Sequence, residues 1–246
     1  MKVLVFQADQ REPLEEFPCE WIVRPFLSDG DTFEIIDCLR QTPTLNLDEY
    51  DSFVITGSKF QVTEDLPWIQ YLLDQSKQIL ALQKPILGIC FGHQLLAYAL
   101  GAEVKKNEKG SEIGMVTVSL TVFGGDAQLF SDVADQFQVF SYHDFEVTSF
   151  SNMQDIVILG KNDHSSIQAF CYKNFAFGVQ FHPEITFERA RQVVQYRKGA
   201  HNDPTIDYDA MHDALASMPE PSRVMENFYR LAISSPSSES TKKGKQ

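Results

Sequence analysis

Residues 85–101 read PILGICFGHQLLAYALG. An apolar run opens the stretch, Gly-Ile-Cys-Phe-Gly follows, and apolar residues at helical spacing lead on to Gly101. The order is buried strand, tight turn and helix, with the last glycine closing the helix. A cysteine that only packs in a core needs no glycine beside it, yet Cys90 has Gly88 two positions before it and Gly92 two positions after. A sharp strand-to-helix turn strains the residue at its apex and crowds its neighbours, and paired glycines relieve that crowding. Cys90 therefore reads as a reactive thiol at the carboxyl end of a strand, where open parallel sheets bind their ligands. The free N–H groups and dipole of the new helix favour thiolate over thiol. The N–H of Phe91 is placed to hold an oxyanion.

Working outward, KVLVFQ (Lys2 to Gln7), TFEIIDC (Thr32 to Cys38) and SFVITG (Ser52 to Gly57) read as strands. A helix is predicted from Pro67 to Gln83. Its apolar residues Trp68, Ile69, Leu72, Leu73, Ile79 and Leu80 recur at helical spacing, behind Glu64 and Asp65 and with Pro67 in the first turn. This rhythm predicts a parallel sheet covered by helices on both faces. From Gly114 to Phe181 the runs MVTVSL, QVFSY, DIVILG, SIQAFC and FAFGVQF follow closely, predicting an antiparallel extension that returns to the main sheet. A helix from Phe187 to Lys198, a polar stretch with Pro204 and a helical segment from Val224 to Ile233 come next.

The expected fold is α/β: a three-layer, open, mostly parallel sheet with helices on both faces and an antiparallel extension. Residues 1–200 are expected to form one domain and 201–233 a helical extension packed on it. Residues 234–246, rich in Ser, Lys and Gly, are expected to be a disordered tail.

Composition narrows the function. Of 246 residues, 43% are hydrophobic and 12% aromatic, enough for a sizeable core, and the net charge is −13. That charge repels phosphate backbones and anionic membranes, so no nucleic-acid or membrane partner is expected. No apolar stretch reaches the roughly 18 residues that cross a bilayer. MKVLVFQADQ turns polar too early for a signal peptide. The four cysteines, at positions 19, 38, 90 and 171, are far apart and contain no CxxC pair, which speaks against a zinc site or a disulfide framework and for a reducing cytoplasm.

A reactive thiol needs a base and an orienting partner. Among six histidines, His182 in FGVQFHPEIT follows a strongly apolar strand and would also reach the carboxyl edge of the sheet. Glu184 lies two residues on, with Pro183 stiffening the link. A carboxylate there can accept one imidazole N–H and leave the other nitrogen for the thiol. His93 reads as a packing or hydrogen-bonding residue, and His164, His201 and His212 as solvated. Trp21 and Trp68 read as packing residues.

GICFGHQLLAYALG together with GVQFHPE resembles the class I glutamine amidotransferases, whose triad is Cys–His–Glu, in a flavodoxin-like sheet. TGS at Thr56 to Ser58, PWI at Pro67 to Ile69, and FSYHDFEV at Phe140 to Val147 are most similar to the subgroup around the amidotransferase domain of GMP synthase. The resemblance covers roughly residues 50–190, in the same order along the chain. It implies Cys90 as nucleophile, His182 as general base and acid, and Glu184 as orienting carboxylate. It also implies that Gly57 donates an oxyanion-hole N–H beside that of Phe91, that Gln94 helps bind a glutamine substrate, and that His143 and Asp144 line its pocket. Members often have Ser-His-Gly-Asp where this chain has Ser-Tyr-His-Asp. No metal and no organic cofactor are implied.

Two active readings and one inactive one follow. The chain is a self-contained hydrolase or transferase acting on glutamine or another γ-glutamyl compound, or it is an ammonia-donating subunit for a separate synthase, or it is a binding or regulatory protein with a relic site. No Gly-rich loop of an ATP-using amination domain occurs, and too little chain follows Glu184 to build one. The resemblance favours the self-contained reading, since that subgroup includes many unfused members.

Overall fold

The computed structural model describes residues 1–9, 20–200, 206–217 and 223–234. Its strands are β1 (Lys2–Gln7), β2 (Thr32–Asp37), β3 (Ser52–Ile55), β4 (Ile86–Ile89), β5 (Ala102–Lys106), β6 (Glu112–Leu120), β7 (Gln136–His143), β8 (Phe145–Phe150), β9 (Ile156–Lys161), β10 (Ala169–Tyr172) and β11 (Ala176–Val179). Its helices are α1 (Glu20–Val23), α2 (Pro67–Leu82), α3 (Phe91–Ala99), α4 (Val122–Gly125), α5 (Phe187–Ala200), α6 (Tyr208–Ala214) and α7 (Arg223–Ser234).

Nine strands form one sheet in the order β2-β1-β3-β4-β11-β10-β9-β6-β7. The first five run parallel. From β11 onward each neighbour is antiparallel. The chain thus leaves the parallel sheet after β4, builds the antiparallel wing, and returns in β11 to lie beside β4, as the run of closely spaced strands predicts. β5 and β8 pair separately, and Val147 and Phe150 of β8 join the core under α3.

Continuous apolar runs are what a sheet buried on both faces requires. Along β1, Leu4 and Phe6 face one core, shared with Trp68, Ile69 and Leu72 of α2 and with Leu95 and Leu96 of α3. Val3 and Val5 face the other, shared with Ile22 of α1 and with Val224, Met225 and Phe228 of α7. A third cluster joins Ala190 and Val194 of α5 and Tyr208 of α6 to Phe140 of β7.

The helix ends follow local chemistry. Pro67 sits at the start of α2, and Gln83 closes it in the left-handed region at φ 54°, its N–H reaching the Ile79 and Leu80 carbonyls. Gly101, at φ 83°, follows α3 as predicted, in a conformation that costs glycine little. α6, capped by the Asp207 side chain on the N–H of Ala210 at 2.9 Å, lies inside the segment expected to be a helical extension. Two features differ from the sequence reading. AEVKK, to which no element is assigned there, is β5. α1 precedes β2 where no helix was predicted.

Residues 10–19, 201–205, 218–222 and 235–246 lie outside the described residues, as does the side chain of Trp21. No helix among the described residues is long and apolar enough to cross a membrane.

Candidate active site

Strands β3, β4 and β11 lie side by side and point the same way, so the segments after them emerge at one edge. Those segments carry Gly57, Cys90 and His182. Cys90 caps α3 with φ 52° and ψ −101°, a conformation non-glycine residues rarely adopt. Its N–H donates to the Val179 carbonyl at 2.8 Å, fastening the turn to β11. The two flanking glycines are explained by contact. A β-carbon at position 88 would overlap the Gly92 carbonyl, and one at position 92 would overlap the Ile55 carbonyl. Only bare backbone lets β4 turn into α3 this tightly while pressed against β3.

His182 is placed by its N–H, which donates to the Phe140 carbonyl at 2.9 Å. Its Nδ1 lies 2.8 Å from Glu184 Oε1. The carboxylate only accepts, so Nδ1 carries the proton in that bond and Nε2 is left over. Burial disfavours the charged ring, but the Glu184 carboxylate and the nearby Cys90 sulfur outweigh it, and His182 is pushed up to about 10. Gly57 sits against this pair, so that a side chain there would meet both His182 and Cys90. The site thus brings a thiol, an imidazole and a carboxylate to one edge of the sheet, a set of groups that can deprotonate a nucleophile and protonate a leaving group.

The other predicted residues take distinct positions. Phe91 opens α3, where its N–H has no intrahelical acceptor, and its ring packs on Trp68 with centroids 5.6 Å apart. Gln94, one turn further, is buried, and its Nε2 donates to the Phe145 carbonyl at 2.8 Å and to Gln180 Oε1 at 3.1 Å. The Tyr142 carbonyl stands 3.5 Å from the Cys90 sulfur. The His143 side chain next to it is buried in the protein interior, and Asp144 Oδ1 accepts from Ser111 Oγ at 2.5 Å. The segment 142–144 therefore reaches Cys90 through its backbone at Tyr142.

His93 is wholly buried against Phe170, and loss of water around it pushes it down to about 3, so it is a neutral packing residue. Trp68 is core, as read. His164 is a correction: its Nδ1 lies 3.0 Å from Asn107 Nδ2, and Nε2 is buried rather than solvated. The residue passed over is Glu112. It is 6% exposed and accepts from Ser141, His143, Gln168 and Asn162. The one local hint is a charged residue at the head of an apolar strand. Among the described residues no group of three or more His, Cys, Asp and Glu side chains is arranged to hold a metal ion.

Comparisons with known proteins agree with this architecture. A family profile, glutamine amidotransferase class-I, matches residues 19–198. Gamma-glutamyl peptidase 5 of Arabidopsis thaliana is 30% identical over 185 residues, 71% of this chain and 72% of its own length. Gamma-glutamyl peptidase 3 of the same plant is 28% identical over 67% of this chain, a stretch spanning 66% of that relative. The glutamine-hydrolyzing GMP synthase subunit of Sulfurisphaera tokodaii is 34% identical over 59% of this chain and 73% of its own length. The crystal structure of a glutamine amidotransferase from Thermotoga maritima shares the fold, with a TM-score of 0.74 over 94% of this chain and 96% of that one at 24% identity. With the profile spanning most of its length, the chain belongs to the class I glutamine amidotransferase family.

Proposed function

We propose that the chain is a cysteine-dependent hydrolase of γ-glutamyl amide bonds that acts without a synthase partner. The observation that carries this is the His182 ring, bonded to Glu184 through Nδ1 at 2.8 Å and set, like the Cys90 β-carbon, against Gly57. In the proposed reaction the Cys90 thiolate attacks the γ-carbonyl, and the N–H groups of Phe91 and Gly57 hold the oxyanion. The protonated His182 gives its proton to the departing amine as the C–N bond breaks, leaving a γ-glutamyl thioester. His182 then takes a proton from water, hydroxide attacks the thioester, and glutamate leaves as the thiolate is restored. Gln94 and the backbone of residues 142–144 hold the glutamyl portion.

The similarity to gamma-glutamyl peptidases supports a γ-glutamyl peptide as substrate. The similarity to the glutamine-hydrolyzing part of a GMP synthase supports a second reading, in which glutamine is hydrolysed and the ammonia passes to a separate synthase. Release of glutamate from glutamine and from a panel of γ-glutamyl dipeptides, with Cys90→Ala as control, separates them. Peptide turnover that is lost in Cys90→Ala supports the proposal. Turnover confined to glutamine favours the second reading, and no turnover on any of them overturns the hydrolase.

A further inference from the structure

Behind the segment that meets Cys90 lies a buried polar cluster. Glu112 Oε2 accepts from His143 Nε2 at 2.7 Å, from Gln168 Nε2 at 2.7 Å and from Ser141 Oγ at 3.2 Å. Its Oε1 accepts from Asn162 Nδ2 at 2.6 Å. A buried carboxylate is tolerated only when its lone pairs are met in this way. Burial alone would push the Glu112 carboxyl up, but His143, Asn162 and Gln168 together hold it down at about 2.

The cluster has an outlet. His143 Nδ1 lies 2.9 Å from the Phe145 carbonyl, so both ring nitrogens face acceptors. The same Phe145 carbonyl accepts from Gln94, at 2.8 Å, one turn into the helix that starts at Cys90. Side chains alternate along β7, so Ser141 and His143 both turn toward Glu112 and the residue between them does not. The carbonyl of that residue, Tyr142, is the one 3.5 Å from the Cys90 sulfur. Ser141 and His143 thus pin the chain on both sides of it.

We infer that Glu112 and His143 are a positioning pair: they fix the backbone of residues 141–145 against Cys90 and Gln94, and so set the affinity for the glutamyl portion of the substrate without tuning the thiol. The inference rests on the hydrolase proposed above and assigns that site a buried support. Neither side chain touches the reacting atoms. An offset of one ångström in such a support can cost up to about a hundredfold.

The test uses two variants that each sever one bond. His143→Gln keeps a donor near the Nε2 position, facing Glu112, and loses the bond to Phe145. His143→Asn keeps a donor near Nδ1 and loses Glu112. Each is measured in steady-state hydrolysis, in labelling by a glutamine analogue carrying a diazoketone in place of the amide, and in alkylation by iodoacetamide, which needs no glutamyl pocket. The expected result is a KM raised about tenfold or more and slower diazoketone labelling, with kcat and the iodoacetamide rate within about twofold of wild type. Unchanged KM and labelling in both variants overturn the inference. So does a parallel fall in iodoacetamide reactivity, which marks a general fold element. Should both variants fail to fold, Ser141→Ala removes only the longest of the four donors. It must then raise KM about twofold to threefold with kcat unchanged, and no change overturns the inference. Wild type inert to the diazoketone overturns the hydrolase itself, whereas wild type labelled and variants indistinguishable from it overturn this inference alone.

Discussion

A β-carbon added to Gly57 would stand 2.9 Å from His182 Cε1 and 3.5 Å from the Cys90 β-carbon. Position 57 therefore sets how close the loop after β3 lies to the thiol and imidazole. In Gly57→Ala the ring must give way, since the first distance is shorter than real contacts allow. The expected outcome is a kcat/KM lowered on the order of tenfold or more, with a melting temperature within a few degrees of wild type. Steady-state hydrolysis beside thermal melting checks it, and an unimpaired enzyme would show that the loop yields instead of the ring.

The glycines flanking Cys90 face backbone rather than a side chain. Gly88→Ala and Gly92→Ala push a methyl group into main-chain carbonyls of α3 and β3, which cannot turn aside. Each is expected to lose about 3 kcal/mol of stability or more, read as loss of soluble protein or a collapse in melting temperature. A folded, active Gly88→Ala would contradict the close approach of β4 and α3.

Cys90 itself holds a positive φ. Glycine adopts such a backbone freely, whereas any residue with a β-carbon is strained there by about 1 kcal/mol. Cys90→Gly is therefore expected to be more stable than Cys90→Ala by that amount, the reverse of their order in a regular helix. Chemical denaturation of the two inactive variants decides it, and Ala the more stable would remove the strain from the elbow.

His182 is pushed up to about 10 by Glu184 and the Cys90 sulfur, against the effect of burial. Between its ordinary value near 6.5 and that raised value, the folded chain holds a proton that the unfolded chain has released. The stability this contributes is fully present below about pH 6.5 and is lost as pH rises toward 10. Melting temperatures across pH 6 to 10 should fall more steeply for wild type than for His182→Gln. Parallel curves would mean that the ring is neutral in the folded protein.

Glu112 has the opposite sign. Burial raises it and its donors, His143 foremost, lower it further, so it is held below its ordinary value at about 2. Its contribution is present above about pH 4.5 and disappears as pH falls toward 2. Acid unfolding followed by fluorescence should show a shallower dependence on pH in Glu112→Gln between those limits, and an unaltered slope would remove Glu112 from the acid response.

The parallel sheet was legible because its strands are nearly pure apolar runs. KVLVFQ, SFVI and ILGI contain too little polar surface to be anything but doubly covered, and β1, β3 and β4 fall within the predicted runs. Cys90, His182 and Glu184 were legible because strand ends announce themselves locally, through a glycine pair and through His-Pro-Glu. What escaped depends on partners distant in sequence. Glu112 reads as an ordinary polar strand end until Asn162 and Gln168, some 50 and 56 residues on, close around it. His164 reads as solvated because nothing in KNDHSS announces Asn107, 57 residues away. The bounds of α6 inside the expected helical extension escaped because YDAMHDA carries little apolar surface, although the capping Asp207 was there to be read.

The adjacency of β4 and β11 has a consequence for how this molecule can vary. Cys90 and His182 lie far apart in the chain, yet their strands share a ladder in which Ile89 pairs with Val179. Neighbouring strands stand about 4.8 Å apart, so the sheet lattice sets the reach from sulfur to imidazole, with Phe140 of β7 holding the backbone of His182. Length is therefore free to change in those turns between β5 and β10 that stand away from the site, while Glu112 and residues 140–145 must keep their places.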